Sequence, residues 1–66
     1  MRIAVNGETR QCMEDCSLKK LLLDLGVRSE RSAVLVNDEV VSKNDRSELK
    51  LRKDDRVEIL VLASGG

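Results

Sequence analysis

Leucines at helical spacing constrain the fold of this chain most. They follow one another at positions i, i+3, i+4 and i+7, which places them on one face of an α-helix: Leu18, Leu21, Leu22 and Leu25. Ser17 precedes the first of them as an N-cap, and Gly26 follows the last as the left-handed residue that ends a helix. The sequence therefore predicts an amphipathic helix whose leucines belong to the core.

The N-terminal segment predicts a β-hairpin. The larger apolar side chains stand at every second position, where Met1, Ile3 and Val5 alternate with Arg2, Ala4 and Asn6, and this is the period of a strand. Asn6 and Gly7 form a strong turn signal, because both tolerate positive φ. Residues 8–13 return with few apolar side chains, so we expect a short, solvated strand at the edge of a sheet.

Further strands are expected after the helix. Residues 33–36 are an apolar run that ends in a turn, and residues 40–41 follow as a brief strand. Residues 42–47 are hydrophilic, so we expect them to be exposed, whereas residues 49–51 place leucines where they can anchor a loop on the core. The last strand begins at Arg56 after a charged turn.

This order of elements predicts an α+β fold, a two-layer roll with a mixed sheet of four to five strands packed on one helix. If the first and last strands pair in parallel, the connection between them should be right-handed. We expect residues 1–62 to form this domain, with the following side chains in its core: Ile3, Val5, Leu18, Leu22, Leu25, Val34, Val36, Val57, Ile59 and Val61.

Length and composition exclude several kinds of site. A chain of 66 residues buries only about 60% of its unfolded surface, which leaves no room for a deep catalytic pocket. Histidine and aromatic residues are absent, and the net charge is zero, so neither base stacking nor a phosphate-binding surface is expected, and no nucleic acid partner. No apolar run approaches the roughly 18 residues of a membrane span, and we expect a cytoplasmic protein.

Cys12 and Cys16 are the cysteines of the chain. Their spacing is not that of a redox C-x-x-C pair, and there is no histidine or second cysteine pair to complete a zinc site. We expect them to act as small buried hydrophobic residues rather than as metal ligands.

The last strand runs directly into small residues: Ala63, Ser64, Gly65 and Gly66. When extended, residues 63–66 can reach about 13 Å from the body, and glycine can pass through a channel that would exclude a side chain. We expect a flexible tail that carries a free carboxylate. A frayed terminus or an expression remnant is the alternative interpretation.

Several segments carry a family resemblance. They are MRIAVNG at residues 1–7, the helix at 17–26, VLVNDEVV at 34–41, DRVEI at 55–59 and the terminal glycine pair. With these segments the chain resembles, over essentially its whole length, the ubiquitin-like β-grasp sulfur carriers of the ThiS family. That family usually has glycine where this chain has Asp54, a difference that concerns stability more than function.

The resemblance implies chemistry at Gly66. A ThiF-like adenylating enzyme would use ATP to activate its carboxylate, and a sulfur source such as a cysteine desulfurase or a rhodanese would convert it into a thiocarboxylate. A ThiG-like thiazole synthase would accept the sulfur in thiamine biosynthesis, while partners recognise Gly65, Ser64 and Ala63. The chain would then be a protein cosubstrate without a catalytic side chain or bound cofactor, monomeric on its own.

Strand alternation also predicts an apolar patch on the sheet face away from the helix, formed by Ala4, Leu35, Leu60 and Leu62. We expect this patch to dock the adenylating enzyme and the acceptor enzyme. Scattered surface leucines are the alternative.

Other functions remain open at this point. The chain could carry sulfur for molybdopterin synthesis, although that branch of the family tends to be longer and richer in aromatics. It could be a covalent protein modifier whose Gly66 forms an isopeptide bond, which genes for ligases or isopeptidases beside its own would indicate. If the chain were a plain binding module, deletion of Gly66 would leave its binding function intact. If it were a redox or metal protein, replacement of Cys12 and Cys16 would abolish its function.

Overall fold

The computed structural model describes residues 1–62. A five-stranded mixed sheet in the order β2-β1-β5-β3-β4 packs against one helix. The strands are β1 (Arg2–Val5), β2 (Glu8–Gln11), β3 (Ser32–Val36), β4 (Glu39–Val41) and β5 (Arg56–Val61), the helix is α1 (Leu18–Asp24), and short 3-10 turns lie at Ser29–Arg31 and Lys43–Asp45. This is the β-grasp arrangement, so the fold class predicted from the sequence is confirmed.

Both ends of α1 are held as the sequence predicts. The Ser17 hydroxyl accepts a hydrogen bond from the Lys20 N–H at 3.1 Å, which caps the N-terminus. Gly26 adopts φ +72° after the helix, and the N–H of Val27 donates to the Leu22 carbonyl at 2.9 Å. This is a Schellman C-cap, which fixes the helix at seven residues.

Left-handed residues close the tight turns. Asn6 (φ +49°) and Gly7 (φ +83°) join β1 to β2, and Asn37 (φ +51°) and Asp38 (φ +71°) join β3 to β4. Asp54 also lies in this region, with φ +68°, in the turn before β5. The aspartate thus occupies a backbone conformation that favours glycine.

The core lies between α1 and the facing side of the sheet. Its buried hydrophobic residues are Ile3, Val5, Leu18, Leu21, Leu22, Val34, Leu51, Val57 and Ile59. Leu25 and Val36 pack partly buried against it. The prediction that Val61 points into the core is wrong, because Val61 is 68% exposed. It continues the alternation of β5, but α1 is too short to cover the end of that strand.

The prediction that residues 42–47 are exposed is wrong for Arg46. Its side chain is only 3% exposed, although its sequence neighbours lie at the surface. The guanidinium donates to the Ser29 and Ser32 carbonyls at 2.6 and 2.8 Å. The two terminal amino groups of the guanidinium thus donate to backbone and hydroxyl oxygens, which offsets the cost of burial, whereas the buried Nε–H has no acceptor among the described residues.

β1 and β5 lie side by side in parallel at the centre of the sheet, with Val5 opposite Val57. Residues 6–55, which include α1, form the connection between them. Within residues 1–62, no helix is long and apolar enough to cross a membrane.

Candidate functional site

The strand that leads to the C-terminal residues is held on both sides at its start and by β3 along its length. β5 pairs in parallel with β1 and antiparallel with β3, where the register runs from Val36 opposite Val57 to Ser32 opposite Val61. The Leu62 N–H extends this ladder by donating to the Arg31 carbonyl at 2.8 Å. The body therefore fixes the position from which the terminal residues depart. The predicted carrier residue Gly66, and with it Ala63, Ser64 and Gly65, lie outside the described residues.

The sheet face away from α1 holds the predicted docking residues. Leu60 and Leu62 are 59% and 56% exposed, whereas Ala4 and Leu35 are half-buried. The sheet does not bring all of them together: Ala4 pairs with Arg56, at the opposite end of β5 from Leu60.

One exposed hydrophobic residue on this face was missed by the sequence reasoning. Val40 is 77% exposed and lies directly opposite Leu35 in the register of β3 and β4. The two-residue turn at Asn37 and Asp38 fixes that register, so the turn signal could have revealed it. We call Leu35, Val40, Leu60 and Leu62 the outer patch.

Charged side chains border the outer patch. Arg56 forms an exposed ion pair with Asp38 at 3.0 Å, across the ends of β5 and β3. Glu58 lies opposite Leu35 in the register, between that ion pair and Leu60. The face therefore changes from charged at the start of β5 to apolar at its end, which suits a protein interface with an apolar centre and a polar rim.

Cys12 and Cys16 lie half-buried against the core, as small hydrophobic residues do. Their thiols donate weak hydrogen bonds to the backbone, from Cys12 to the Met13 carbonyl and from Cys16 to the Ser17 carbonyl, both at 3.4 Å. Burial, and next the neighbouring Cys16, raise the pKa of the Cys12 thiol to about 11. Among residues 1–62, no three potential ligands gather into a metal site.

Comparison with known proteins gives the family. A sequence model of the ThiS family matches residues 3–66. The chain belongs to the ThiS family. It is 37% identical over 62 residues to the "Sulfur carrier protein ThiS" of Thermus thermophilus, covering 94% of this chain and 95% of that protein. The crystal structure of the thiamine biosynthesis protein ThiS from Geobacter metallireducens superposes with a TM-score of 0.86 at 29% identity, over 100% of both chains.

Longer relatives also contain a ThiS-like segment. The chain is 33% identical over 66 residues to a protein of Paramagnetospirillum magneticum named "Thiazole synthase". A "Thiazole synthase" of Magnetococcus marinus is 35% identical over the same length. In each case the match covers 100% of this chain but 20% of the relative, so the chain spans about a fifth of these proteins.

Proposed function

We propose that this protein is a sulfur carrier of thiamine biosynthesis that works through the α-carboxylate of Gly66. The observation that carries the proposal is the family match, which runs through the body and includes the terminal glycine pair. The name of the Thermus relative supports the same assignment. The fold adds a physical argument, because the strand that delivers these residues is the central strand of the sheet.

The chemistry needs activation of a poor electrophile. A carboxylate oxygen of Gly66 attacks the α-phosphorus of ATP, which forms an acyl-adenylate and releases diphosphate. The terminal sulfur of a persulfide then attacks the acyl carbon and expels AMP, which leaves an acyl persulfide. The thiolate of a second cysteine attacks the donor cysteine sulfur and breaks the S–S bond. The thiocarboxylate stays on Gly66 as the leaving group, and the donor cysteine and the second cysteine form a disulfide.

The partners supply every catalytic group in this scheme. A ThiF-like enzyme binds ATP and adenylates the chain, and a cysteine desulfurase or rhodanese supplies the persulfide. The carrier itself binds no cofactor and catalyses no step. Its contribution is a rigid body, an outer patch for docking, and a terminus without side chains at Gly65 and Gly66.

A ThiG-like thiazole synthase is the proposed acceptor of the sulfur. Two relatives named thiazole synthase carry a segment similar to this whole chain within a longer polypeptide. Covalent linkage raises the effective concentration of a carrier beside the enzyme that consumes its sulfur. We infer that this protein binds a separate thiazole synthase through its outer patch.

Mass spectrometry of the C-terminal fragment tests the proposal. The full chain is incubated with the adenylating enzyme of its own organism, ATP and a sulfur source. The fragment should gain the mass difference between sulfur and oxygen, and it should not do so without ATP. Removal of Gly66 and the substitution Gly65→Val should both abolish the change, the second because a branched side chain blocks a narrow channel.

Leu23→Ala is the matched control, since Leu23 is 64% exposed on α1 and distant in sequence from the terminus. It should be converted like the unmodified chain. Normal thiazole formation by a chain lacking Gly66 would contradict the proposed function.

A further inference from the structure

The edge of β5 that faces β1 changes character along its length. At the start of the strand, an ordinary parallel ladder forms: the Ala4 N–H donates to the Asp55 carbonyl and the Asn6 N–H to the Val57 carbonyl, both at 2.9 Å. β1 then ends, because Asn6 turns into the left-handed region and leads into β2. β5 continues beyond this point, and no strand within residues 1–62 pairs with it on that side.

The side chain of Asn6 replaces β1 for one more residue. Its Oδ1 accepts the Ile59 N–H at 2.8 Å, and its Nδ2 donates to the Ile59 carbonyl at 3.3 Å. A single primary amide thus satisfies both backbone groups of Ile59, as a strand would. The amide also ends the ladder, since both of its polar atoms bond to Ile59 and the side chain has no other polar atom for the next residue of the strand.

Val61 is the next residue whose backbone faces this edge. On the other side of β5, the Leu62 N–H donates to the Arg31 carbonyl, so the alternation of an antiparallel pair turns the Val61 backbone away from β3. Within the described part of the chain, the Val61 N–H and carbonyl have no backbone partner. An open strand edge of this kind can pair with another strand.

A groove of about 320 Å³ lies beside that open edge. Its apolar lining comes from β1, from the residues that follow α1 and from β5, and its polar lining comes from Asn6, Glu8 and Arg10. The apolar residues are Val5, Leu25, Val27, Ile59 and Val61. The groove lies on the α1 side of the sheet, so it is distinct from the outer patch.

We propose that the open edge at Val61 and this groove bind an extended segment of the enzyme that adenylates Gly66. The segment pairs with the N–H and carbonyl of Val61 and places one apolar side chain in the groove. When a peptide adds to a sheet edge, the backbone hydrogen bonds supply affinity and the side-chain pocket supplies specificity. The inference rests on the proposed function. It adds a second contact surface and a defined direction for the terminal residues.

The position of Val61 favours the adenylating enzyme over a second copy of this chain. Gly66 follows Val61 by five residues, a span of about 17 Å when extended, so one partner can hold both. A partner that already binds the terminus needs little further area to pair with one residue. A dimer built on a single residue of open edge would bury far less than the roughly 1,200 Å² of a stable interface.

A backbone substitution isolates the proposed hydrogen bond. Chemical synthesis of the full chain allows valine 61 to be replaced by its α-hydroxy acid, which removes the Val61 N–H and keeps the side chain. The matched control is the same replacement at Thr9, whose N–H faces the open outer edge of β2. Each ester also weakens one carbonyl within the sheet, at Leu60 or at Glu8, so the effects on the fold are comparable.

Calorimetric titration against the adenylating enzyme gives the readout. The Val61 ester should bind about fivefold to tenfold more weakly than the natural chain, and the Thr9 ester should bind like it. Val61→Asp, at a side chain that is 68% exposed, should weaken binding further because it brings a carboxylate to the groove. Leu23→Asp on the exposed face of α1 should leave it unchanged.

The outcomes separate this inference from the proposed function. If the natural chain receives no sulfur, the proposed function itself fails. If it is converted and the Val61 ester and Val61→Asp bind as tightly as the natural chain, only the inference is overturned. A third result would also overturn the inference: the natural chain dimerises on its own and the Val61 ester is monomeric. The open edge would then bind a second copy of this chain.

Discussion

Arg46 and Ser32 are joined by two buried hydrogen bonds: the guanidinium donates to the Ser32 hydroxyl at 3.2 Å and to its carbonyl at 2.8 Å. The same side chain donates to the hydroxyl and carbonyl of Ser29 at 2.9 and 2.6 Å. Through its own carbonyl, Arg46 also accepts the Lys19 N–H at 3.0 Å. One residue of a hydrophilic loop thereby connects the start of β3 with the first turn of α1.

Arg46→Ala should destabilise the protein by about 2–3 kcal/mol, because it leaves several buried oxygens without donors. Chemical denaturation measures the change. Arg46→Lys should recover part of the loss, since an ammonium group can reach fewer of these oxygens than the planar guanidinium. Arg52→Ala, on an exposed side chain, should stay within about 0.5 kcal/mol of the natural protein. Equal effects at both arginines would contradict the structural role of Arg46.

Leu22→Ala should cost about 2–5 kcal/mol of unfolding free energy, because Leu22 is 1% exposed and its truncation leaves a cavity between α1 and the sheet. The midpoint of urea unfolding reports the loss. Leu23 is its neighbour on α1 and is 64% exposed, so Leu23→Ala is the internal comparison and should have little effect. An unchanged midpoint for Leu22→Ala would mean that the helix face has been misassigned.

Asp54→Gly should stabilise the protein by about 0.5–1 kcal/mol. Asp54 holds φ +68°, where a side chain is strained and glycine is not. Thermal unfolding would show a higher midpoint. The same change at the adjacent Lys53, which is not among the left-handed residues, should lower the midpoint, because there glycine only adds backbone entropy to the unfolded chain. A lower unfolding midpoint for Asp54→Gly would show that Asp54 does not strain this turn.

Leu60→Glu should preserve the fold and weaken binding to the adenylating enzyme and to the thiazole synthase. Leu60 is 59% exposed in the outer patch, so a carboxylate is tolerated in the free protein but is desolvated in a complex. Surface plasmon resonance with each enzyme measures the loss. Leu23→Glu introduces the same charge on the opposite layer and should bind normally. If Leu60→Glu binds both enzymes as tightly as the natural chain, the patch is not an interface.

Cys12 should resist alkylation by iodoacetamide at neutral pH and become reactive only as the pH approaches 11, since the thiolate is the reacting species and the pKa of Cys12 is raised to about 11. Cys16→Ser should shift the reactivity profile of Cys12 to lower pH, although burial, the larger cause, remains. Because the folded pKa exceeds the ordinary value of 9.0, the associated stability is present below pH 9 and is lost as the pH rises towards 11. Rapid labelling of Cys12 at pH 7 would contradict its burial.

The sequence contained most of the fold because local signals agree with the tertiary structure. The leucine spacing, the cap at Ser17, the stop at Gly26 and the Asn6 turn each act through nearby residues, and the structure confirms them. With the resemblance, they also led to the family, which the comparisons confirm. Where an element is determined by residues close to it in the chain, the sequence pattern was sufficient to predict that element.

The misses depend on contacts distant in the chain. Arg46 is buried by serines that lie 14 and 17 residues away, and no local pattern distinguishes it from an exposed arginine. Val61 alternates correctly, but its exposure depends on where α1 ends above the sheet. The role of Asn6 as a substitute for a strand was also hidden, because its partner Ile59 is 53 residues away.

The parallel pairing of β1 with β5 determines when the body can be completed during synthesis. The hairpins β1–β2 and β3–β4 are local and can form as soon as they are made, but each lacks its neighbour until β5 exists. β5 follows the other four described strands in the chain and lies between the two hairpins, so this sheet closes only after β5 has been synthesised. A nascent chain that lacks β5 therefore cannot present a finished docking body.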